Sequence, residues 1–292
     1  MAVNWRIYNE SLVRCGEIVL DFDVLHNWNN ELSKMNYGKE GASYRYPDSF
    51  VQLLGYMRLY FHLPYRQTEG VVIAHAGEKA PSIPDYSTIN RRVNRLDIKI
   101  NERIGNDIII VLDSTGIKVT NRGEWLPHKW NVRKGYLKIH VAVDIRKRKI
   151  VSLDVTSEEV YDGSRLKELV ANASENNTLK RVIADGAYDN NENFQYLSDK
   201  NIEAAIKVRK NSSYDRSLIC CYPRKRVVLN QLKNLKKWNV KVSYGSRWIA
   251  ETVFSSLKRT FGEYISAKKF PNMVKEIMLK ASLYNMFIVE EK

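Results

Sequence analysis

The sequence predicts an α/β protein, a mixed sheet with helices on its faces, preceded by a helical N-terminal region. Three observations carry this expectation. Up to residue 96 the apolar residues recur at helical spacing. After Asn106 short apolar runs read as strands, three of them before a helix intervenes. From there strands and helices alternate, the pattern of a sheet covered by helices. The chain divides accordingly into a helical region, 1–106, and a sheet domain, 107–292.

Residues 1–45 are mixed, with a helix read around Asp23–Met35. The run PDSFVQLLGYMRLYFHL (47–63) sets Phe50, Leu53, Leu54, Met57 and Phe61 at helical spacing. Pro47 suits its start and Pro64 its stop. A second helix covers Gln67–Ala76, and a third, Thr88–Leu96, follows the turn-rich PSIPDYST. In the third, Ile89, Val93 and Leu96 fall at i, i+4, i+7 and face a core, while Arg91, Arg92 and Arg95 point elsewhere. Three short helices ending in outward arginines suit a helix-turn-helix-like DNA-binding unit. A helical domain with a solvated arginine face fits the same segment.

Strands are read at 108–113, 136–144 and 150–156, with the charged turn RKRK between the last two. Asp162-Gly163-Ser164 opens a helix to about Ser174, then come strand 181–185, helix Glu192–Lys200 and strand 203–208. The basic stretch 209–242 has no clear repeat and reads as an insertion. Helices Trp248–Phe261 and Met273–Ile288 close the chain. This succession resembles the ribonuclease H-like fold, in which the first strand is central and neighbours the fourth.

A chain of 292 residues with 44% hydrophobic residues can bury a sizeable core. Cys15, Cys220 and Cys221 offer neither zinc spacing nor a disulfide framework, so a reducing setting is expected. No signal peptide is read at the start, and no apolar run approaches the length of a membrane span. Localisation is therefore expected to be cytoplasmic. The net charge of +14 is unevenly placed: residues 207–292 hold 19 Lys/Arg against 6 Asp/Glu, and the rest is nearly neutral. A localised basic surface attracts polyanions, nucleic acid above all, although it also fits a merely solvated face.

Three acids stand in suggestive places. Asp113 ends the apolar run IIIVL, Asp185 ends VIA, and Glu251 lies within a helix. Phosphodiester cleavage must manage negative charge on the phosphate and on both exchanging oxygens. Two Mg²⁺ ions about 4 Å apart do so, and hard cations take carboxylate ligands. At about 100° per residue, Glu251 and Lys258 fall within about 40° of Arg247, and Tyr244, if helical, within about 60°. Ile249, Val253, Phe254, Leu257 and Phe261 occupy a separate arc that packs on the sheet. Arg247 and Lys258 would then flank Glu251 and hold phosphates. An exposed Arg247–Glu251 pair explains those two residues equally well. Among weaker candidates, Asp189 reads as a turn acid or a partner of Asp185, and Asp162 as a helix N-cap. Asp144, Asp154 and His140 read as structural, His140 with a rim position as its alternative. Trp125, Trp130, Arg133 and Lys134 form a loop suited to stacking and phosphate contact.

The spacing Tyr244-x-x-Arg247-x-x-x-Glu251-(x)6-Lys258 resembles the Y-R-E-K signature of DDE transposases from bacterial and archaeal insertion sequences. LDSTGIKV (112–119) and ADGAYDN (184–190) are similar to their first- and second-aspartate segments. LPYRQTEG (63–70), PDYSTINRR (84–92), GEW (123–125) and KIHVAVD (138–144) resemble the insertion-sequence family five group, so the likeness spans roughly 47–289. It implies a cut-and-paste transposase with Asp113, Asp185 and Glu251 as catalytic and metal-binding triad. It also implies two Mg²⁺ per site, with Mn²⁺ as a substitute. The implied partners are double-stranded DNA, as terminal inverted repeats and as target, and a second copy of the chain, in a nucleoid-associated location. An inactive transposase-derived DNA-binding protein and a structure-specific nuclease of the same fold are the alternatives.

Overall fold

The computed structural model of the chain describes residues 5–100, 102–119, 136–209 and 221–288. They form two compact units, 1–99 with 267–292, and 100–266.

The first unit is helical: α1 (Trp5–Val19), α2 (Trp28–Asn36), α3 (Asp48–Tyr60), α4 (Tyr65–Ala76), α5 (Tyr86–Val93) and the late helix α11 (Phe270–Phe287). Pro47 and Pro64 stand at the N-caps of α3 and α4, where a missing N–H costs nothing. Asp85 caps α5, accepting the N–H groups of Ser87 and Thr88. Phe50, Leu54, Met57, Ile89 and Val93 are buried as their spacing requires, each side chain contributing roughly 1.5–3 kcal/mol. Phe61 falls past the end of α3 and is exposed. Helix α11 packs on α1 and α3, and Tyr56 is hydrogen-bonded to Ser282 at 2.8 Å. The last helix thus joins the helical unit, whereas the sequence reading groups it with the sheet. Sequence order cannot show that a terminal helix returns to the first helices. Helix α1 was not foreseen, because Trp5, Leu12 and Val13 are exposed and no clean apolar stripe marks it.

The second unit is a six-stranded mixed sheet: β1 (Ile108–Val119), β2 (Tyr136–Asp144), β3 (Ile150–Ser157), β4 (Leu179–Ala184), β5 (Glu203–Ile206) and the short β6 (Tyr264–Ile265). The order is β3-β2-β1-β4-β5, with β6 beside the end of β1. Strands β1 to β3 are antiparallel, and β4 and β5 run parallel to β1. This is the ribonuclease H-like order expected from the succession of elements. Around the sheet stand α6 (Leu166–Ser174), α7 (Asn191–Asp199), α8 (Tyr222–Lys233), α9 (Leu235–Lys241) and α10 (Trp248–Phe261). Helices α8 and α9 replace the featureless insertion read at 209–242. Only Val227, Val228, Gln231 and Trp238 of those helices are buried, too few to print a helical period through a basic run.

Strand β1 outlasts the apolar run. Ser114 to Lys118 pair with β2 residue by residue, so Asp113 lies inside the strand rather than at its end. Polar Ser-Thr-Gly gave no strand signal; the partner strand supplies the ladder. Helix α10 reaches Thr115 through Lys258, and α6 neighbours Asp154 through Arg165. Thr115 opposes Ile139 and Asp154 opposes His140, so the two helices cover opposite faces. Gly262, at φ +78, ends α10 in a conformation open to glycine and turns the chain into β6.

Candidate active site

The parallel register of β1 and β4 pairs Ile110 with Val182 and Val111 with Ile183. Two residues further along each chain stand Asp113 and Asp185, side by side at one level. Asp113 is half-buried, and its Oδ1 accepts the N–H of Ser114 at 3.0 Å. Asp185 lies just past β4 and caps a 3-10 turn, Gly186–Tyr188, accepting the N–H of Ala187 at 2.9 Å. Glu251 projects from the first turn of α10. A 3-10 turn, Tyr244–Arg247, precedes it and lies over β1 and β4.

One guanidinium joins the three acids. Arg247 Nη2 is 3.0 Å from Glu251 Oε1, and Nη1 is 3.6 Å from Asp113 Oδ1 and 4.0 Å from Asp185 Oδ2. Burial pushes the Asp113 carboxyl up from its ordinary value. Arg247 pulls it back, and the charges of Asp185 and Glu251 push it up again. Tyr244, whose ring meets that of Trp238 at a tilt with centroids 5.5 Å apart, is pushed up to about 12, chiefly by burial. The buried Tyr188 phenol is likewise raised, by burial and then by Asp162, Asp113 and Asp185. Lys258, on the same stripe of α10, donates to Thr115 Oγ1 at 3.0 Å.

The donor chemistry of Asp113, Asp185 and Glu251 suits a hard divalent cation. As they stand they embrace the guanidinium. Among the described residues no three of His, Cys, Asp and Glu are grouped so as to hold an ion.

The family model described as a transposase DDE domain matches residues 105–286, more than half of the chain, and a second model of that description matches 13–122. The chain belongs to the DDE transposase family. Among solved structures, the piggyBac transposase synaptic complex with hairpin DNA is similar at 10% identity, over 94% of this chain and 74% of that one, with a TM-score of 0.42. A simian T-cell lymphotropic virus intasome in complex with PP2A regulatory subunit B56 gamma is similar at 13% identity, over 68% of this chain and 64% of that one, with a TM-score of 0.28.

In this DDE domain the turn bearing Asp185 is clamped from behind. Asp189, 1% exposed at its side chain, receives Arg224 Nε at 2.7 Å and Nη2 at 3.1 Å. It also accepts the Arg209 N–H at 2.9 Å, and Arg209 Nε donates to Gly186 O at 3.1 Å. Asp189 is thus more than a turn acid. Arg209 and Arg224 were missed, since neither lies within a helical turn or strand step of Asp189.

On the other face of the domain's sheet lies a buried polar group. His140 Nε2 is 2.9 Å from Thr156 Oγ1, and Nδ1 is 3.5 Å from Asp162 Oδ1. Lys138 Nζ is 3.1 Å from the same Asp162 oxygen. The rim position for His140 is therefore overturned: it is fully buried. Asp162 pairs with these side chains and is the first residue of a 3-10 turn, rather than an N-cap. Asp144 and Asp154 are structural as read, accepting backbone N–H groups of Arg146, Lys147 and Val155.

Burial lowers the His140 pKa to about 4, against Asp162, which raises it, and Lys138, Arg165 and Glu168 add smaller effects. Below pH about 6.5 the unfolded chain takes up a proton that the folded chain refuses. Stability is then lost as pH falls toward 4, by about 3 kcal/mol in all. His140→Gln is expected to flatten that fall in urea-denaturation midpoints between pH 7 and pH 4; an unchanged pH profile sinks the assignment.

In the helical unit Arg91 and Arg95 are exposed. Arg92 is committed elsewhere: Nη2 bonds Asp48 at 2.7 Å and Tyr46 O at 3.0 Å, over the Tyr44 ring. Arg133 and Lys134, with Trp125, Trp130 and the GEW segment, lie outside the described residues. Among the described residues no helix is long and apolar enough to cross a membrane.

Proposed function

We propose that the chain is the transposase of an insertion sequence of the family five group, cutting DNA at its element's terminal repeats and joining the freed 3′-hydroxyl to target DNA. The observation that carries this reading is the gathering of Asp113, Asp185 and Glu251 around Arg247, within a Y-R-E-K signature. These three carboxylates would hold Mg²⁺ or Mn²⁺. Divalent cations supply charge stabilisation for a phosphodiester under attack and a more acidic water.

The chain's own residues account for the rest. Asp113 is fixed in a strand paired on both sides, and Asp185 is fixed by its capped turn and the Asp189 clamp, so two carboxylates are pre-positioned. Glu251 is exposed on a helix and free to adjust. Lys258, steered by Thr115, and Arg247, once released from the acids, present positive charge to phosphates on the same side. Tyr188 and Tyr244 remain neutral phenols, adding no negative charge beside the DNA. Both displacements are in-line, by water and then by a 3′-hydroxyl, and neither needs a protein nucleophile. The helical unit, with exposed Arg91 and Arg95, is assigned to DNA recognition, and a homodimer to the pairing of two ends, in a nucleoid-associated location.

The test is a nicking and joining assay with DNA carrying the element's own terminal repeats. Mg²⁺-dependent nicking followed by covalent joining of the 3′ end is the expected result. Nicking without joining in any target would mark a nuclease instead. Tight end binding without nicking in Mg²⁺ or Mn²⁺ would overturn the catalytic reading.

A further inference from the structure

A second basic feature lies away from the carboxylates. Helices α7, α8 and α9 and strand β5 enclose a groove of about 940 Å³. Arg226 and Lys233 of α8 and Lys237 and Lys241 of α9 line it. They fall at helical spacing, Arg226 to Lys233 at i, i+7 and Lys237 to Lys241 at i, i+4, so each helix turns its cations to one side. All four are exposed. Among the described residues none of them forms an ion pair within 4 Å, whereas the lining carboxylate, Glu203, is already held by Arg181 at 2.6 Å. Among the described lining residues four positive charges are thus uncompensated.

Its other surfaces narrow the ligand. Side-chain amides of Asn201 and Asn230 offer neutral hydrogen-bond partners. The aromatic rings in the lining, Phe194 and Trp238, are buried in the core beneath it. Among the described lining residues no exposed ring is offered on which an unstacked base could lie, which favours a duplex over single strands. Charge with amides and without stacking is the chemistry of backbone contact.

We infer that this groove binds the sugar-phosphate backbone of duplex DNA, independently of sequence. The inference rests on the reading of the chain as one that acts on DNA. Its framework ties the groove to the candidate active site at both ends. Helix α8 starts at the Arg224–Asp189 clamp behind Asp185, and α9 leads through Val242, whose carbonyl accepts Arg181 Nη1 at 3.1 Å, into the Tyr244–Arg247 turn. Duplex held there would be registered against the carboxylates by rigid elements.

The test measures binding of a fluorescein-labelled random-sequence duplex by anisotropy, in EDTA so that nothing is cut, across a salt series. Lys233→Ala/Lys237→Ala should reduce the slope of log K against log salt by about 2 and weaken binding roughly 50-fold at about 0.1 M salt. Arg146→Ala/Lys180→Ala removes two exposed cations outside the groove and should change both little, as screening at that salt predicts. Lys241→Gln gives a second, milder probe, with a slope change of about 1. Groove variants that keep the wild-type slope, or match the control pair, overturn the proposal while leaving the nicking assay untouched. Displacement of the duplex by far lower concentrations of folded RNA would also overturn it. If wild-type protein binds no duplex at all, the DNA-acting reading falls as well.

Discussion

Asp113→Asn is expected to lower strand cleavage about a thousandfold or more while leaving the protein as stable as before, or more so. Loss of one carboxylate from the charge-bearing cluster forfeits several kcal/mol of transition-state stabilisation, and each ~1.4 kcal/mol is a factor of ten in rate. The stability half follows from electrostatics. The Asp113 carboxyl is raised overall, so burial and the nearby Asp185 and Glu251 outweigh Arg247 and the Ser114 N–H. The fold therefore disfavours that charge, and a neutral isostere that still accepts from Ser114 relieves the cost. Cleavage of labelled terminal-repeat DNA and thermal melting check the two halves. Cleavage at the wild-type rate would remove Asp113 from the catalytic set, and a large fall in melting temperature would refute the account of its burial.

Asp189→Ala should carry the largest stability cost of any single change near the site, about 3–5 kcal/mol. It removes the buried carboxylate that receives Arg224 Nε and Nη2 and the acceptor of the Arg209 N–H. For a chain of this size that corresponds to a drop of roughly 10 °C in melting temperature. Asp189→Asn, which can still accept from Arg209, should lose less. In a double-mutant cycle, Arg224→Met should cost little more once Asp189 is already alanine, because the pair acts as a unit. Strictly additive losses would show that the clamp is not a coupled pair. Cleavage should fall alongside stability, since the turn bearing Asp185 loses its backing.

The two faces of α10 show how much was legible beforehand. The 100° rule set Arg247, Glu251 and Lys258 on one stripe and Ile249, Val253, Phe254, Leu257 and Phe261 on another; of these five, Leu257 is half-buried and the rest are buried. The rule said nothing of where Arg247 would point. It lies among three acids drawn from two strands and a helix, because an uncompensated cluster of carboxylates attracts the nearest cation. The same limit applied to β1. Leu112 closes the visible apolar run, yet the strand continues to Val119, since a polar segment in a ladder is held by its partner rather than by its own composition.

Arg92 is the counterexample among the arginines of the segment read as a helix at Thr88–Leu96. Helical spacing placed it outward with Arg91 and Arg95, and its geometry on the helix is as expected. Its charge is nevertheless spent on Asp48, 44 residues away, and on the face of Tyr44. A helical wheel fixes direction and cannot see which neighbour waits there.

By itself the sequence determined the local periods, the succession of the five longer strands, the helix start at Pro47 and stop at Pro64, and the three acids with their signature spacing. Each of these rests on interactions within a few residues, which composition and spacing record. The tertiary structure alone decided the level of Asp113 beside Asp185, the seat of Arg247, the Asp189–Arg224 clamp, the basic groove between α8 and α9, and the return of α11 to the helical unit. Those depend on register, burial and charge pairing between segments distant in sequence, and such contacts leave no periodic mark on the chain.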